Sequence, residues 1–370
     1  MKIAIQASDL DHSRIDGTRV YILNLLKHFG KIDTQDEFLI YHKNNFNPEL
    51  FPASFPNYQV IQKNGLPFWT QTRFALELWK TQPDVLWMPM QALPFIRRKN
   101  LKTIVTIHDL AFKIFPTHFP KSDLRRLNFL TDLAIRKSDK IIAVSQSTKN
   151  DILKFYPEIK NEKIKAIHHG FDAELFSKKI SKENTEAILS RYALRASRYV
   201  IFIGAIQPRK NLTTLIRAFE IFKENSGSDT KLVLAGEKAW MWQETENLAS
   251  QSLCSKDIII TGKLKFDDLS TLLANAGVYT LPSLYEGFGM PILEAFASKV
   301  PAILACNSSL PEVGGEAVLY FQNQEELAEM FEMVLTDQNL RTCMIKKGEE
   351  QLAKFSWEKC AKETLEFIKS

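Results

Sequence analysis

The stretch Val278-Tyr-Thr-Leu-Pro-Ser-Leu-Tyr-Glu-Gly-Phe-Gly-Met-Pro-Ile-Leu-Glu-Ala-Phe296 holds a complete structural unit. Its first four residues form a β-favouring apolar run, and Pro282 with Gly287 and Gly289 breaks that run into a loop. Pro291 then suits the first turn of a helix, because its missing N–H is one the helix would leave unpaired anyway. Strand, glycine loop and helix in this order form the repeating unit of a doubly wound parallel sheet. Amides at a helix N-terminus attract anions, and the two glycines let a ligand approach the backbone closely. Glu286 and Glu294 flank the turn with seven residues between them. Such carboxylates can accept hydrogen bonds from vicinal hydroxyls of a ribose or a hexose. The plain alternative is a strand–turn–helix in which one carboxylate merely caps the helix.

The same grammar extends in both directions. In the first half, short strand-like runs fall at residues 3–5, 38–41, 85–88, 103–107, 141–144 and 164–167. In the second half they fall at 200–203, 232–234, 258–260, 278–281, 302–305 and 318–321. Most are continuously apolar, as strands covered by helices on both faces must be. Between them lie amphipathic stretches such as residues 212–223, where Leu215, Ala218, Phe219 and Phe222 recur at helical spacing. At 370 residues the chain is long for one core, and two domains are expected. The pattern breaks over residues 173–197, a segment rich in Lys, Glu and Ser with one predicted helix at 184–192. That stretch reads as the connection between domains. The expected layout is an N-terminal domain over 1–180, a C-terminal domain over 195–355, and a last helix over 356–370 that Ser356 would start.

An apolar share of 45% and a charged share of 25% are ordinary for a globular protein. The net charge of +5 is unevenly divided. Residues 1–180 carry 27 Lys and Arg against 18 Asp and Glu, a net +9, which leaves −4 for the remainder. A basic first half could face an anionic acceptor or lipid headgroups, or be only a set of solvated faces. The clusters are Arg97-Arg98-Lys99 with Lys102, and Lys121 with Arg125-Arg126; Leu66-Pro67-Phe68-Trp69 adds apolar character. No nucleic-acid module and no zinc-ligand spacing is present. The four cysteines, Cys254, Cys306, Cys343 and Cys360, are far apart and read as buried free thiols, which fits a cytoplasmic location.

Further candidates follow other strands, where ligands of open parallel sheets bind. Gly204-Ala-Ile-Gln-Pro-Arg-Lys-Asn places Arg209 and Lys210 just ahead of a helix, a pairing suited to a diphosphate. His108-Asp109 ends a buried strand; the bland reading is a structural histidine held by a backbone carbonyl, the functional one a ligand contact. The loop after the first strand holds Gly17 with Thr18 and Arg19.

Taken in order, these residues resemble glycosyltransferase family 4 enzymes of the GT-B fold. The resemblance runs through Gly17-Thr-Arg-Val-Tyr with Asn24, His108-Asp109, Val144-Ser-Gln-Ser, His168-His-Gly-Phe-Asp172 and Pro208-Arg-Lys-Asn. It continues with Leu234-Ala-Gly236, Gly262, the Glu286-x7-Glu294 segment and Ser309-Leu-Pro-Glu312-Val. It implies two Rossmann-like domains facing a central cleft, with the terminal helix crossing back to the first. It also implies a retaining hexosyltransferase, mannosyltransferase-like, using a GDP- or UDP-sugar as donor substrate and no metal or other cofactor. Arg209 and Lys210 would neutralise the donor diphosphate and Glu294 would take the ribose. Glu286, with the amides around Phe288, Gly289 and Met290, would hold the transferred sugar, and His108 would contact it from the other domain. Gly17 and Gly236 would line the donor site. A glycan or lipid-linked acceptor and peripheral contact with an anionic membrane at its inner face complete the expectation.

Two departures stand out. Arg19 occupies the place of a second glycine common in the family's N-terminal loop, where its guanidinium would replace a phosphate contact or keep the backbone away. Ala205 follows Gly204 where many members have Arg, and Arg209 would supply that charge. Rival readings are a GT-B sugar-nucleotide epimerase and a non-catalytic sugar-nucleotide-binding protein. A dehydrogenase is disfavoured because no G-x-G-x-x-G follows either first strand.

Overall fold

A computed structural model describes residues 1–65, 67–172 and 181–370. Leu66 and residues 173–180, the latter part of the expected connection, lie outside the described residues. The chain forms two compact units. The first comprises Met1–Ile114, Lys121–Gly170 and Phe355–Ser370, and the second Phe115–Pro120 and Phe171–Lys354.

The first unit is built on seven strands: β1 (Lys2–Gln6), β2 (Glu37–His42), β3 (Tyr58–Gln62), β4 (Val85–Met88), β5 (Lys102–Ile107), β6 (Lys140–Ala143) and β7 (Ile164–Ala166). They lie in the order β3-β2-β1-β4-β5-β6-β7, every neighbouring pair parallel. The second has six: β8 (Tyr199–Ile203), β9 (Lys231–Ala235), β10 (Ile258–Gly262), β11 (Val278–Leu281), β12 (Ala302–Ala305) and β13 (Leu319–Phe321). Their order is β10-β9-β8-β11-β12-β13, again all parallel. Central strands such as Ile3-Ala-Ile5 and Val200-Ile-Phe202 have no solvent exposure. Their apolar runs are explained by helices on both faces, and each fully buried Ile or Phe contributes about 1.5–3 kcal/mol.

The strand missing from the sequence reading is β3. It is the sheet edge, and none of its residues is fully buried, so Tyr58-Gln-Val-Ile-Gln62 carries no continuous apolar run.

The helix Trp357–Lys369 is capped by the Ser356 side chain and belongs to the first unit, where it packs on the helix Gly17–Ile32. Lys369 pairs with Asp33 and, at 2.6 Å, with Asp36, which also binds the terminal amine of Met1. Gly170 lets this helix close in, since a Cβ there would meet the Trp357 backbone nitrogen at 2.0 Å. The cysteines correct the sequence reading. All four are free thiols, but only Cys360 is buried, whereas Cys306 and Cys343 are exposed and Cys254 is intermediate. Cys306 sits in the loop beyond β12, and Cys343 lies on the outward side of the helix Gln338–Leu352, so neither is carried into a core.

Candidate functional site

In each sheet the strand order reverses beside the first strand, and the two loops leaving that point diverge to opposite faces and open a crevice. In the second unit the reversal lies between β8 and β11. The loops beyond their carboxyl ends are residues 204–211 and 282–289, so topology brings together the two segments with the most suggestive chemistry.

They are joined there by main chain and side chain alike. The amide of Leu284 donates to the Arg209 carbonyl at 2.9 Å. The Arg209 guanidinium donates to the Tyr285 carbonyl and, at 3.0 Å, to Glu286 Oε2. Lys210 Nζ donates to Glu286 Oε1 at 2.5 Å, and the Ser283 hydroxyl donates to the same oxygen at 2.6 Å. Both Glu286 and Lys210 are buried. Burial alone would raise the Glu286 carboxyl. The charges of Lys210 and Arg209, with the hydrogen bonds from Lys210 and Ser283, outweigh it and hold the group down at about 2. Two cations and one carboxylate thus meet in one buried cluster.

A third loop, following β12, fixes the second. Asn307 Nδ2 donates to the Ser283 carbonyl at 3.0 Å, and the Glu286 amide donates to the Ser308 hydroxyl at 3.0 Å. The buried Ser309 hydroxyl reaches the carbonyls of Glu286 at 2.9 Å and Phe288 at 2.8 Å. Ser308 adopts a left-handed backbone (φ +49°), uncommon for a residue with a Cβ. The sequence did not single out Ser283, Asn307 or Ser308. Ser309 entered only as part of a motif.

Gly289 (φ +102°) ends the loop, and Met290 begins the helix Met290–Ala297, whose N-terminus carries partial positive charge. Phe288 is buried. Glu294 is half-buried on this helix, and burial pushes its carboxyl up to about 7. The hydroxyl of Tyr279 lies buried in the field of both glutamates and has no hydrogen-bond partner among the described residues. Gly204 and Gly236, ending β8 and β9, touch each other. A Cβ on Gly236 (φ +155°) would meet the Gly204 carbonyl oxygen at 2.0 Å. Gly236→Ala is therefore expected to cost about 2–3 kcal/mol in chemical denaturation, because backbone rather than a movable side chain blocks the space. A change below about 0.5 kcal/mol would show that these loops can part freely.

In the first unit, Gly17 opens the helix Gly17–Ile32 behind an Asp16 cap. The Arg19 guanidinium turns to Asp16 and, at 3.1 Å, to the Asp9 carbonyl. It is thus engaged in holding its own helix cap. His108 follows β5, and its Nε2 donates to the Pro89 carbonyl at 2.8 Å, which fixes the tautomer and leaves Nδ1 as the acceptor. That bond is the one the bland reading described. Burial lowers the His108 pKa and keeps the ring neutral. The ring stands edge-on to Tyr21 at 5.3 Å, and Tyr21 stacks on His169 at 4.7 Å. Asp109 caps the short helix Ala111–Ile114 through the amide of Ala111. Among the described residues no group of three or more His, Cys, Asp or Glu is placed to hold a metal ion. Among the same residues no helix is long and apolar enough to cross a membrane.

Comparison with known proteins accounts for both units. Residues 187–351 match the model of glycosyl transferases group 1, and residues 15–175 match that of Glycosyltransferase Family 4. The chain belongs to the group 1 glycosyltransferases, with a family 4 N-terminal half. This glycosyltransferase is 27% identical over 276 residues to the O-antigen chain mannosyltransferase B of Escherichia coli, covering 72% of this chain and 70% of the relative. It is 28% identical over 261 residues to the serotype-specific mannosyltransferase WbdA of Escherichia coli, covering 69% of this chain but only 32% of that one. A crystal structure of Anabaena HepE in complex with UDP and glucose superposes with a TM-score of 0.75 at 16% identity, covering all of both chains. That likeness establishes the GT-B fold.

Proposed function

We propose that this glycosyltransferase moves a hexosyl group, mannosyl or similar, from a nucleoside diphosphate sugar to a glycan or lipid-linked acceptor with retention of configuration. The observation that carries the reading is the Arg209–Lys210–Glu286 cluster at the switch point of the second sheet. Two prepositioned cations beside a helix N-terminus stabilise a leaving diphosphate without reorganising during reaction. The diphosphate oxygen would accept the acceptor's proton on the same face, and an oxocarbenium-like transition state would collapse with retention. Glu294 takes the ribose hydroxyls in this scheme, and Glu286 serves the transferred sugar while orienting both cations. With Nε2 engaged, His108 would offer Nδ1 to substrate. The mannosyl assignment draws on the Escherichia coli relatives, and the UDP alternative to GDP draws on the Anabaena protein.

The deciding experiment is a thermal-shift screen against UDP-, GDP- and ADP-sugars. At a hundred times the dissociation constant, the correct donor should stabilise the protein by about 2.7 kcal/mol. No shift with any of them ends the donor assignment, and turnover that inverts C2 without transfer would make the enzyme an epimerase. Transfer is expected to persist in EDTA, since cationic side chains and helix amides already neutralise the leaving group. Activity lost in EDTA and restored by magnesium or manganese would show that a metal is needed.

A further inference from the structure

The sequence left open whether the positive charges of the first half scatter or converge. We propose that one face of the first unit, formed by residues 93–99 and the helix Lys121–Lys137, docks on an anionic lipid bilayer. The inference deepens the lipid-linked acceptor proposed above and rests on it.

The two segments form one surface. The Phe95 ring stands edge-on to Phe129 at 5.7 Å, and Arg97 spans from the Pro94 carbonyl (2.9 Å) to the Lys137 carbonyl (2.7 Å) at the end of that helix. Gln71 joins a third segment, accepting from the Phe95 amide at 2.7 Å and donating to the Leu93 carbonyl at 3.1 Å. Its own amide donates to the Phe68 carbonyl at 2.8 Å. Four large apolar side chains on these segments point outward, whereas Leu93 is buried: Ile96 is 72% exposed, Phe129 60% and Phe95 48%, with Phe68 at 83%. Trp69, expected to add to such a surface, does not. It is buried against Phe74 and donates its indole N–H to the Lys63 carbonyl.

Cations surround this apolar group. On the helix, Arg125, Arg126 and Phe129 are exposed at helical spacing, whereas Thr131, Ala134 and Ile135 on the other side are buried. Residues 93–99 and 121–137 together hold eight Lys and Arg against Asp123 and Asp132. Asp132 is bound to Lys113 at 2.9 Å, Asp123 lies 3.8 Å from Arg126, and Arg136 is paired with Glu158. Apolar side chains ringed by long cations suit the boundary between acyl chains and phosphate headgroups, where rings enter the apolar layer while the charges meet phosphate. An acidic bilayer presents phosphate along the whole of such a rim, together with an apolar layer for the exposed rings.

The test uses the full chain and co-sedimentation with vesicles of phosphatidylglycerol and phosphatidylcholine, against phosphatidylcholine alone. Binding is expected only with the anionic lipid and should fall as salt rises. Phe95→Ser with Ile96→Ser and Phe129→Ser should weaken partitioning about tenfold, and Arg125→Ser with Arg126→Ser should weaken it while lowering the salt sensitivity. Calorimetry with UDP and GDP on the same preparations keeps the two ideas separate: all variants should bind nucleotide as wild type does. Equal binding to neutral vesicles, or variants that sediment like wild type, would overturn the proposal. So would variants whose only change is a loss of self-association, which would make the face a contact between copies. Vesicle binding by a protein that binds no nucleotide would remove the donor reading and leave this surface standing.

Discussion

Arg209→Ala and Lys210→Ala should each lower turnover roughly ten- to a hundredfold, the loss of one charge-assisted contact of about 1.5–3 kcal/mol to the leaving group. The geometry adds a second consequence. Each cation also partners the buried Glu286, so its removal leaves that carboxylate with one countercharge instead of two. Breaking a buried ion pair outright costs about 3–5 kcal/mol, and the surviving cation keeps the penalty below that. Acid sensitivity distinguishes this stability effect from the catalytic one. A carboxylate depressed to about 2 contributes stability that is fully present above its ordinary value and disappears as pH falls through 2. With one cation gone the depression is smaller, so in acid titration the variants should lose less stability below the ordinary carboxylate range, and finish losing it at a higher pH, than wild type. Steady-state kinetics with the donor identified by thermal shift supplies the first measurement. Wild-type turnover in both variants would remove these residues from the mechanism.

Which features the sequence disclosed follows from how each is encoded. Strands with both faces covered need uninterrupted apolar residues, so β4, β11 and β12 were readable to the residue. The edge strand β3 needs no such run and was silent. Arg209, Lys210, Glu286 and Glu294 were visible because unusual charges beside glycines and helix starts have few structural reasons to be there. The resemblance put them at one donor site, and the strand order explains why the loops that carry Arg209, Lys210 and Glu286 meet beyond the first and fourth strands of the second sheet. The serine and asparagine clamp of residues 283, 307, 308 and 309 was not visible. Hydroxyl and amide side chains occur in every loop, and only the fold shows which carbonyl or carboxylate each one reaches. The same limit hid the task of Arg19, whose partner Asp16 is a helix cap of a kind common to N-terminal turns.

Glu294→Gln should strengthen the fold while weakening the donor site. Burial pushes the Glu294 carboxyl from an ordinary 4.5 up to about 7, so the native state holds this proton more tightly than the unfolded chain does. The stability it allows is present below about 4.5 and lost as pH rises to 7, a difference of about 3 kcal/mol. Glutamine carries no charge to bury. The variant should therefore match wild type near pH 4 and exceed it by up to about 3 kcal/mol at pH 8 in denaturant melts. A group that costs stability at neutral pH is kept for what its ionised form binds. If that ligand is the ribose, calorimetry should show wild-type affinity for UDP or GDP rising with pH through 7. The variant should bind roughly ten- to a hundredfold more weakly above pH 7 and show no such rise. Glu286→Gln keeps an acceptor oxygen for the two cations, so it should impair transfer more than it weakens nucleotide binding. If Glu286→Gln abolishes nucleotide binding and Glu294→Gln spares it, the two carboxylates have exchanged roles. A Glu294→Gln variant less stable than wild type at pH 8 would mean that the carboxylate is ionised and satisfied in the fold, and the pH dependence of donor binding would have to arise elsewhere.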